Sequence, residues 1–261
     1  MLFLMAVLPS IVFLFIVWKL DRIEKEPIGL MLGLFFLGVL SVPFIAIMEG
    51  VMSELNFFPE GGFLYNLVDA FWIVGPCEEI GKFLVLFLLT WWNKNFDHKY
   101  DAIVYSSAVT LGFATLENVL YVFDSELGGL DTAIGRMLLS IPGHLTFGLF
   151  MGLFYGFMKK YANDKKWFQC VLFGCLTIYV PIILHGVYDF LLFLDNSIAL
   201  ILFLLFVLTV DFASIIVLII SILTDKKIIY GEQLRESFRV SENIDDASMD
   251  NEMIVEEINS P

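Results

Sequence analysis

The chain has 261 residues, 59% of them hydrophobic and 17% charged, with a formal net charge of −14 at pH 7. Soluble domains hold roughly 45–50% apolar and about 25% charged residues, so this composition excludes an ordinary soluble domain and predicts a protein solvated by a bilayer. The acidic balance also speaks against a nucleic-acid partner, which needs clustered Lys and Arg to meet phosphates.

Seven apolar runs near the ~20-residue length that crosses a hydrocarbon core as a helix are predicted at 2–18, 28–48, 66–91, 101–123, 134–158, 167–193 and 198–223. None alternates with the two-residue period of a membrane β-strand, so the fold class is an all-α, polytopic membrane protein of about seven transmembrane helices. The first run lacks a basic leader and a small-x-small cleavage site, and is expected to stay as a mature helix. Residues 1–223 then form one multi-pass membrane domain. From Asp225 onward the remaining 37 residues hold ten acids against four bases with little periodicity, so 224–261 reads as an acidic, disordered cytoplasmic tail. Its start, Asp225 to Val240, mixes Lys226, Lys227, Arg235 and Arg239 with apolar residues and is expected on the membrane surface. Cys77, Cys170 and Cys175 all fall in apolar runs and are expected to be buried free thiols.

Loop charge alternates along the chain. Segments 19–27, 92–100 and 159–166 carry Lys19, Arg22, Lys25, Lys94, Lys99, Lys159, Lys160, Lys165 and Lys166, and Lys226 and Lys227 follow the last span. Segments 49–65, 124–133 and 194–197 contain no lysine or arginine. The positive-inside rule therefore predicts an N-terminus outside and a C-terminus in the cytoplasm, with Arg136 a mild exception.

Depth follows at 1.5 Å per helical residue. Glu78 and Glu79 fall ~15 Å below the outer edge of the third span, Glu117 ~9 Å into the fourth, and His144 and His185 ~12–15 Å into the fifth and sixth. Four consecutive helices deliver ionisable groups to one layer of the outer half of the bilayer. Buried charge in a membrane is costly and marks function, so these five residues are the candidate catalytic set. Pro76 and Pro142 precede Glu78 and His144 by two residues, and Pro181 precedes His185 by four; helix prolines free a carbonyl and bend the axis. Pro9 and Pro43, in spans without candidates, limit the weight of that pattern.

On a helix Lys82 faces Glu78 at i+4 and Glu79 at i+3. The i+4 geometry favours Glu78 as the paired acid and Glu79 as the free base. Asp189, four residues after His185, is placed to fix its tautomer. Asp211 lies deeper, in the seventh span, and reads as a helix-pairing aspartate. A carboxylate, a second acid and imidazoles suit amide hydrolysis, with a glutamate as general base and an imidazole or the Asn118 amide as oxyanion donor. No cofactor is required by this reading, although His144, His185 and Glu117 form an alternative zinc-ligand set. Neither H-E-x-x-H nor G-x-S-x-G occurs, nor an intramembrane aspartate pair at matched depth. A proton-coupled transporter and a non-catalytic membrane scaffold are the alternatives; the first usually shows an internal repeat, and none is evident.

Glu78-Glu79-x-x-Lys82, Phe113-Ala114-x-x-Glu117-Asn118, His144 with Phe147, and His185-Gly186-x-x-Asp189-Phe190 together resemble the PrsW family of bacterial membrane proteases. They are more distantly similar to the CAAX-protease and bacteriocin-processing group. The resemblance spans the third to sixth helices, about half of the chain, in the family's order. It implies a glutamate-dependent intramembrane endopeptidase of the bacterial cell membrane, with a single-pass membrane protein as substrate. In the family that activity makes the first, outward-side cut in a membrane-anchored anti-sigma factor. The functional positions carried over are Glu78, Glu79, Glu117 and His185, with His144 as an additional member. The basic residue departs from the wider CAAX group: Lys82 stands three after the second glutamate, where that group has arginine four after it.

Overall fold

The protein is represented by a computed structural model, which describes residues 1–228. Among the described residues the chain is helical throughout, with no named strand. Its helices are α1 (Leu2–Leu20), α2 (Ile28–Ser53), α3 (Phe63–Val68), α4 (Gly75–Thr90), α5 (Lys99–Val122), α6 (Leu130–Gly135), α7 (Ile141–Asn163), α8 (Trp167–Phe193) and α9 (Ser197–Leu223). Two π-helical turns, Asp69–Val74 and Arg136–Ser140, join α3 to α4 and α6 to α7 without a break.

Six of these columns are long and apolar enough to cross a membrane: α1, α2, α5, the α6–α7 column, α8 and α9. The predicted third span does form one helical column from Phe63 to Thr90. It falls outside the six because Asp69, Glu78, Glu79 and Lys82 interrupt its apolar composition. The charges that identify the column as functional are the ones that disqualify it as a plain hydrophobic span. Helix α2 runs to Ser53, further than the apolar run indicated, so Glu49 belongs to a helix and not to a loop.

Helix α5 is the centre of the bundle. It packs on α1, α2, α4 and α7, and is buried along most of its length, whereas α1 and α9 bury only one stripe each. Lipid and protein interior are equally apolar, so such packing depends on close approach of backbones at small residues. A Cβ on Gly38 would lie 2.1 Å from the Val109 carbonyl oxygen, and one on Gly112 would lie 2.0 Å from that of Phe35. Gly148, Gly152 and Gly156 form a matching stripe on α7 that receives α5.

This packing sets a stability contrast. At Gly152 a Cβ would fall 2.3 Å from Ser106 Oγ and 2.7 Å from the Ala102 carbonyl, while at Gly33 it would meet nothing within 4 Å. Gly152→Ala is expected to destabilise by at least the ~1–3 kcal/mol typical of overpacking. Gly33→Ala is expected to be neutral or stabilising by up to about 1 kcal/mol, since Ala is the better helix former. Thermal unfolding of both variants in detergent checks the contrast; equal behaviour would mean that α5 and α7 do not meet at Gly152.

The lysine-rich end of the bundle is closed by hydrogen bonds between loops. His98 caps α5, and Asp101 in its first turn accepts from the backbone N–H groups of Asp97 (3.0 Å) and His98 (2.7 Å). Tyr100 donates its hydroxyl to the Val17 carbonyl, and the Tyr100 backbone N–H donates to Asp225 Oδ1, both at 3.0 Å. Lys227 pairs with Asp97 at 3.0 Å and bridges His98, and Ile228 is buried. Ordered contacts of the membrane domain thus extend past residue 223, because the first residues after α9 fold back onto the α4–α5 loop. The remainder of the predicted tail, 229–261, lies outside the described residues. Of the three free cysteines only Cys170 is buried; Cys77 is half-buried and Cys175 lies on the outer surface of the bundle.

Candidate active site

The local sequence explains how the ionisable groups reach one place. Pro76 and Pro142 each stand second in their helix, directly after a π-helical turn. Proline brings no N–H and crowds the carbonyl four residues back; the wider i→i+5 turn accommodates both, and such turns recur at functional sites. The prolines of α4 and α7 therefore mark the start of the site-bearing turns, whereas Pro9 and Pro43 lie inside regular helices.

Lys82 is the hub. Its ammonium is fully buried, 2.8 Å from Glu78 Oε2, 2.8 Å from Glu79 Oε1 and 3.3 Å from His144 Nδ1. It also sits 4.1 Å from the centroid of the Phe113 ring, a cation–π contact strengthened by desolvation. The expected division into a paired Glu78 and a free Glu79 does not hold, because the i+3 carboxylate reaches the ammonium as well as the i+4 one. What separates the two acids is access. Glu78 lines a cavity of about 550 Å³, and Glu79 does not.

The imidazoles extend the network. His185 Nδ1 is 2.9 Å from Glu79 Oε1 and 3.8 Å from Glu78 Oε2, and its Nε2 is 3.3 Å from Asp189 Oδ2. Asp189 thus stands where the i,i+4 spacing put it. His144 Nε2 is 2.8 Å from Glu117 Oε2. Lys82 has only protons to offer to Nδ1, so His144 is the neutral tautomer that donates from Nε2 to Glu117. The Phe147 ring stacks on His185 with centroids 5.0 Å apart, and the two imidazoles lie edge to face at 5.5 Å. All five candidate residues, with Lys82 and Asp189, form one connected cluster.

Two members were not anticipated. Arg136 Nη2 lies 2.7 Å from Glu117 Oε2, and its Nε donates to Asn118 Oδ1 at 2.7 Å. Its sequence signal was the one basic residue at an otherwise lysine-free end. Glu49, on the extended α2, also lines the cavity and has a buried Oε1 without a hydrogen-bond partner among the described residues. The expected role of Asn118 changes accordingly. It is buried behind the cavity and holds Arg136 and Ser140 through Oδ1, so it supports a cation and does not face a substrate. Asp211 accepts a hydrogen bond from Thr146 at 2.7 Å and joins α9 to α7.

A water-accessible acid, buried counter-charges and two ordered imidazoles inside a helical membrane bundle define a hydrolytic centre of the intramembrane type. Comparison with known proteins gives the family. The PrsW family intramembrane metalloprotease profile matches residues 26–219. Protease PrsW of Clostridioides difficile (strain 630) is 33% identical over 208 residues, 79% of this chain and 85% of the relative. Protease PrsW of Geobacillus kaustophilus is 35% identical over 187 residues, covering 72% and 77%, and that of Bacillus subtilis (strain 168) is 34% identical over 190 residues, covering 72% and 80%. No solved structure matches the chain. The chain belongs to the PrsW family; it is an intramembrane peptidase and a multi-pass protein of a bacterial membrane.

The family is described as one of metalloproteases, which implies a metal held by the site's own donors. The converging group here is Glu78, Glu79 and His144, whose ligand atoms lie within 4.8 Å of one another. The set expected from sequence, His144, His185 and Glu117, is not among the groups of three that converge within the described residues. The Lys82 ammonium contacts all three converging residues, at 2.8, 2.8 and 3.3 Å. The ammonium takes one oxygen of each carboxylate and Nδ1 of His144, so the site does not fit a metal while Lys82 stays in place, and no step is derived through one.

Proposed function

We propose that the protein is a glutamate-dependent endopeptidase that cuts a single-pass membrane protein near its extracytoplasmic side. The observation that carries this reading is the asymmetry of the glutamate pair: Glu78 reaches the cavity while Lys82 holds both acids. Glu78 takes a proton from a cavity water as general base, and the water oxygen attacks the peptide carbonyl carbon. The carbonyl oxygen gains the charge. Arg136 lines the same cavity and keeps N–H groups beyond those given to Glu117 and Asn118, so it is the donor available to stabilise that charge. The C–N bond then breaks, and the proton on Glu78 passes to the leaving amine. Glu79 orients His185, and Glu117 holds His144 and Arg136.

The family's proteolytic assignment and the loop charge support this choice of substrate class. The lysine-free end of the bundle is nearer the cavity, and the positive-inside rule puts that end outside. A membrane-anchored anti-sigma factor, cut on its outer side to begin sigma-factor release, suits both. The test is cleavage of such a single-pass substrate by purified protein in nanodiscs. Wild type is expected to cut, with Glu117→Gln and His185→Ala each losing at least about a hundredfold, the low end of what positioned acid–base groups supply. Full activity in both variants at normal expression would reject the reading. Orientation is checked separately by labelling single cysteines placed at 55–60 and 160–165, with only the first set expected to react from outside.

A further inference from the structure

We propose that Asp21, Glu26 and Asp101 form a binding site for a hard divalent cation, Ca²⁺ or Mg²⁺, which ties the α1–α2 turn to the first turn of α5. The three side chains come from two segments distant in sequence, the α1–α2 turn and the start of α5, and lie at the bundle end opposite the catalytic cavity. Each offers a carboxylate oxygen, and these oxygens lie within 4.8 Å of one another. All three residues are buried, at 3%, 4% and 1% exposure. Asp21 Oδ2 is buried and has no hydrogen-bond partner among the described residues. That orphaned oxygen, in a cluster facing two further acids, is the independent sign of an occupant.

The surrounding groups orient the acids, and the Lys25 ammonium offsets part of the Asp21 charge without pairing with its carboxylate. Tyr105 donates to Glu26 Oε2 at 2.5 Å, and the Asp97 and His98 backbone N–H groups donate to Asp101 Oδ2. No lysine, arginine or histidine among the described residues forms an ion pair with any of the three. The nearest ammonium, Lys25, is bonded to the backbone carbonyls of Trp18, Lys19 and Asp21. Buried charges need a partner or must neutralise. Oxygen-only ligands select hard cations, and ligands of one Ca²⁺ at 2.3–2.6 Å stand at most about 4.6–5.2 Å apart, so oxygens within 4.8 Å of one another are close enough to share an ion. Burial also lifts the Glu26 carboxyl to about 7, so the rival occupant of the cluster is a proton.

The experiment uses the full-length protein in nanodiscs, titrated with Tb³⁺ as a Ca²⁺ surrogate whose emission is sensitised by a nearby aromatic ring, here Tyr105. A saturable emission displaced by Ca²⁺ or Mg²⁺ is expected, together with a cation-dependent rise in unfolding temperature. In Asp21→Asn both responses are expected to weaken at least about tenfold, equivalent to ~1.4 kcal/mol of binding. Glu26→Gln serves as the second variant if Asp21→Asn does not fold. Glu79→Gln is expected to leave both responses unchanged. Equal cation responses in wild type and Asp21→Asn, or no response in wild type, would overturn the site. A response lost in Glu79→Gln but kept in Asp21→Asn would move the cation to the catalytic cluster. A variant stabilised by loss of an acid, with no cation dependence, would assign the cluster to shared protons.

Discussion

Lys82→Met is expected to destabilise the protein by about 3–5 kcal/mol, the cost of leaving a buried ion pair without one partner. The substitution keeps the length and apolar stem of the side chain but removes the charge that faces Glu78 and Glu79 at 2.8 Å. Two adjacent carboxylates then remain in a low-dielectric interior, and both also face His185. The expected readout is a large drop in unfolding temperature with loss of proteolysis. Adding Glu78→Gln and Glu79→Gln to Lys82→Met is expected to restore much of the stability and none of the activity. An apolar replacement of a whole buried ion cluster is often neutral or stabilising, whereas removal of one member is not. The same variant tests the metal. With the ammonium gone, Glu78, Glu79 and His144 are free to take Zn²⁺, whose usual donors are carboxylate oxygen and imidazole nitrogen. A zinc-dependent thermal shift is expected in Lys82→Met and absent in wild type. A Lys82→Met protein as stable as wild type would mean that the acids are already neutral.

The sequence made the layer legible because membrane helices impose two strong constraints. Each span has a known rise per residue, and each charge inside it is costly enough to need a reason. Those two facts placed Glu78, Glu79, Glu117, His144 and His185 at one depth, and the structure joins them into a single network. Rotation about the helix axes was not legible at that level. Whether Glu78 or Glu79 faces the cavity depends on the π-helical turn before Gly75, which adds a residue to one turn and has no propensity signature beyond Pro76. Edges were the other weak point. An apolar run ends where hydrophobicity ends, but α2 continues to Ser53 and carries Glu49 into the cavity wall. Arg136 was visible only as a violation of the loop-charge pattern, and its pairing with Glu117 explains the violation. A basic residue at the wrong end of a membrane protein is a site candidate before it is a topology error.

Glu78→Gln and Glu79→Gln are expected to fail in different ways, although the residues are adjacent and chemically identical. Glutamine at 78 keeps the side-chain volume and one oxygen for Lys82 but cannot accept a proton from water. Turnover is expected to fall by about 10²–10⁴-fold, the contribution of a positioned general base, with little change in unfolding temperature. Glutamine at 79 sits in a fully buried position with Lys82 on one side and His185 on the other. There the amide replaces one charged partner in a network that has no water to compensate. The main expected effect is lower thermal stability, with a loss of turnover that follows misorientation of His185. Turnover by folded protein, normalised by ligand-independent unfolding curves, separates the two. If Glu78→Gln retains turnover while Glu79→Gln abolishes it at unchanged stability, the general base is Glu79, and water must reach it by a path other than the cavity. If both variants lose stability and turnover together, the pair and Lys82 act as one structural unit, and the base must be sought at Glu117, the remaining glutamate held against His144.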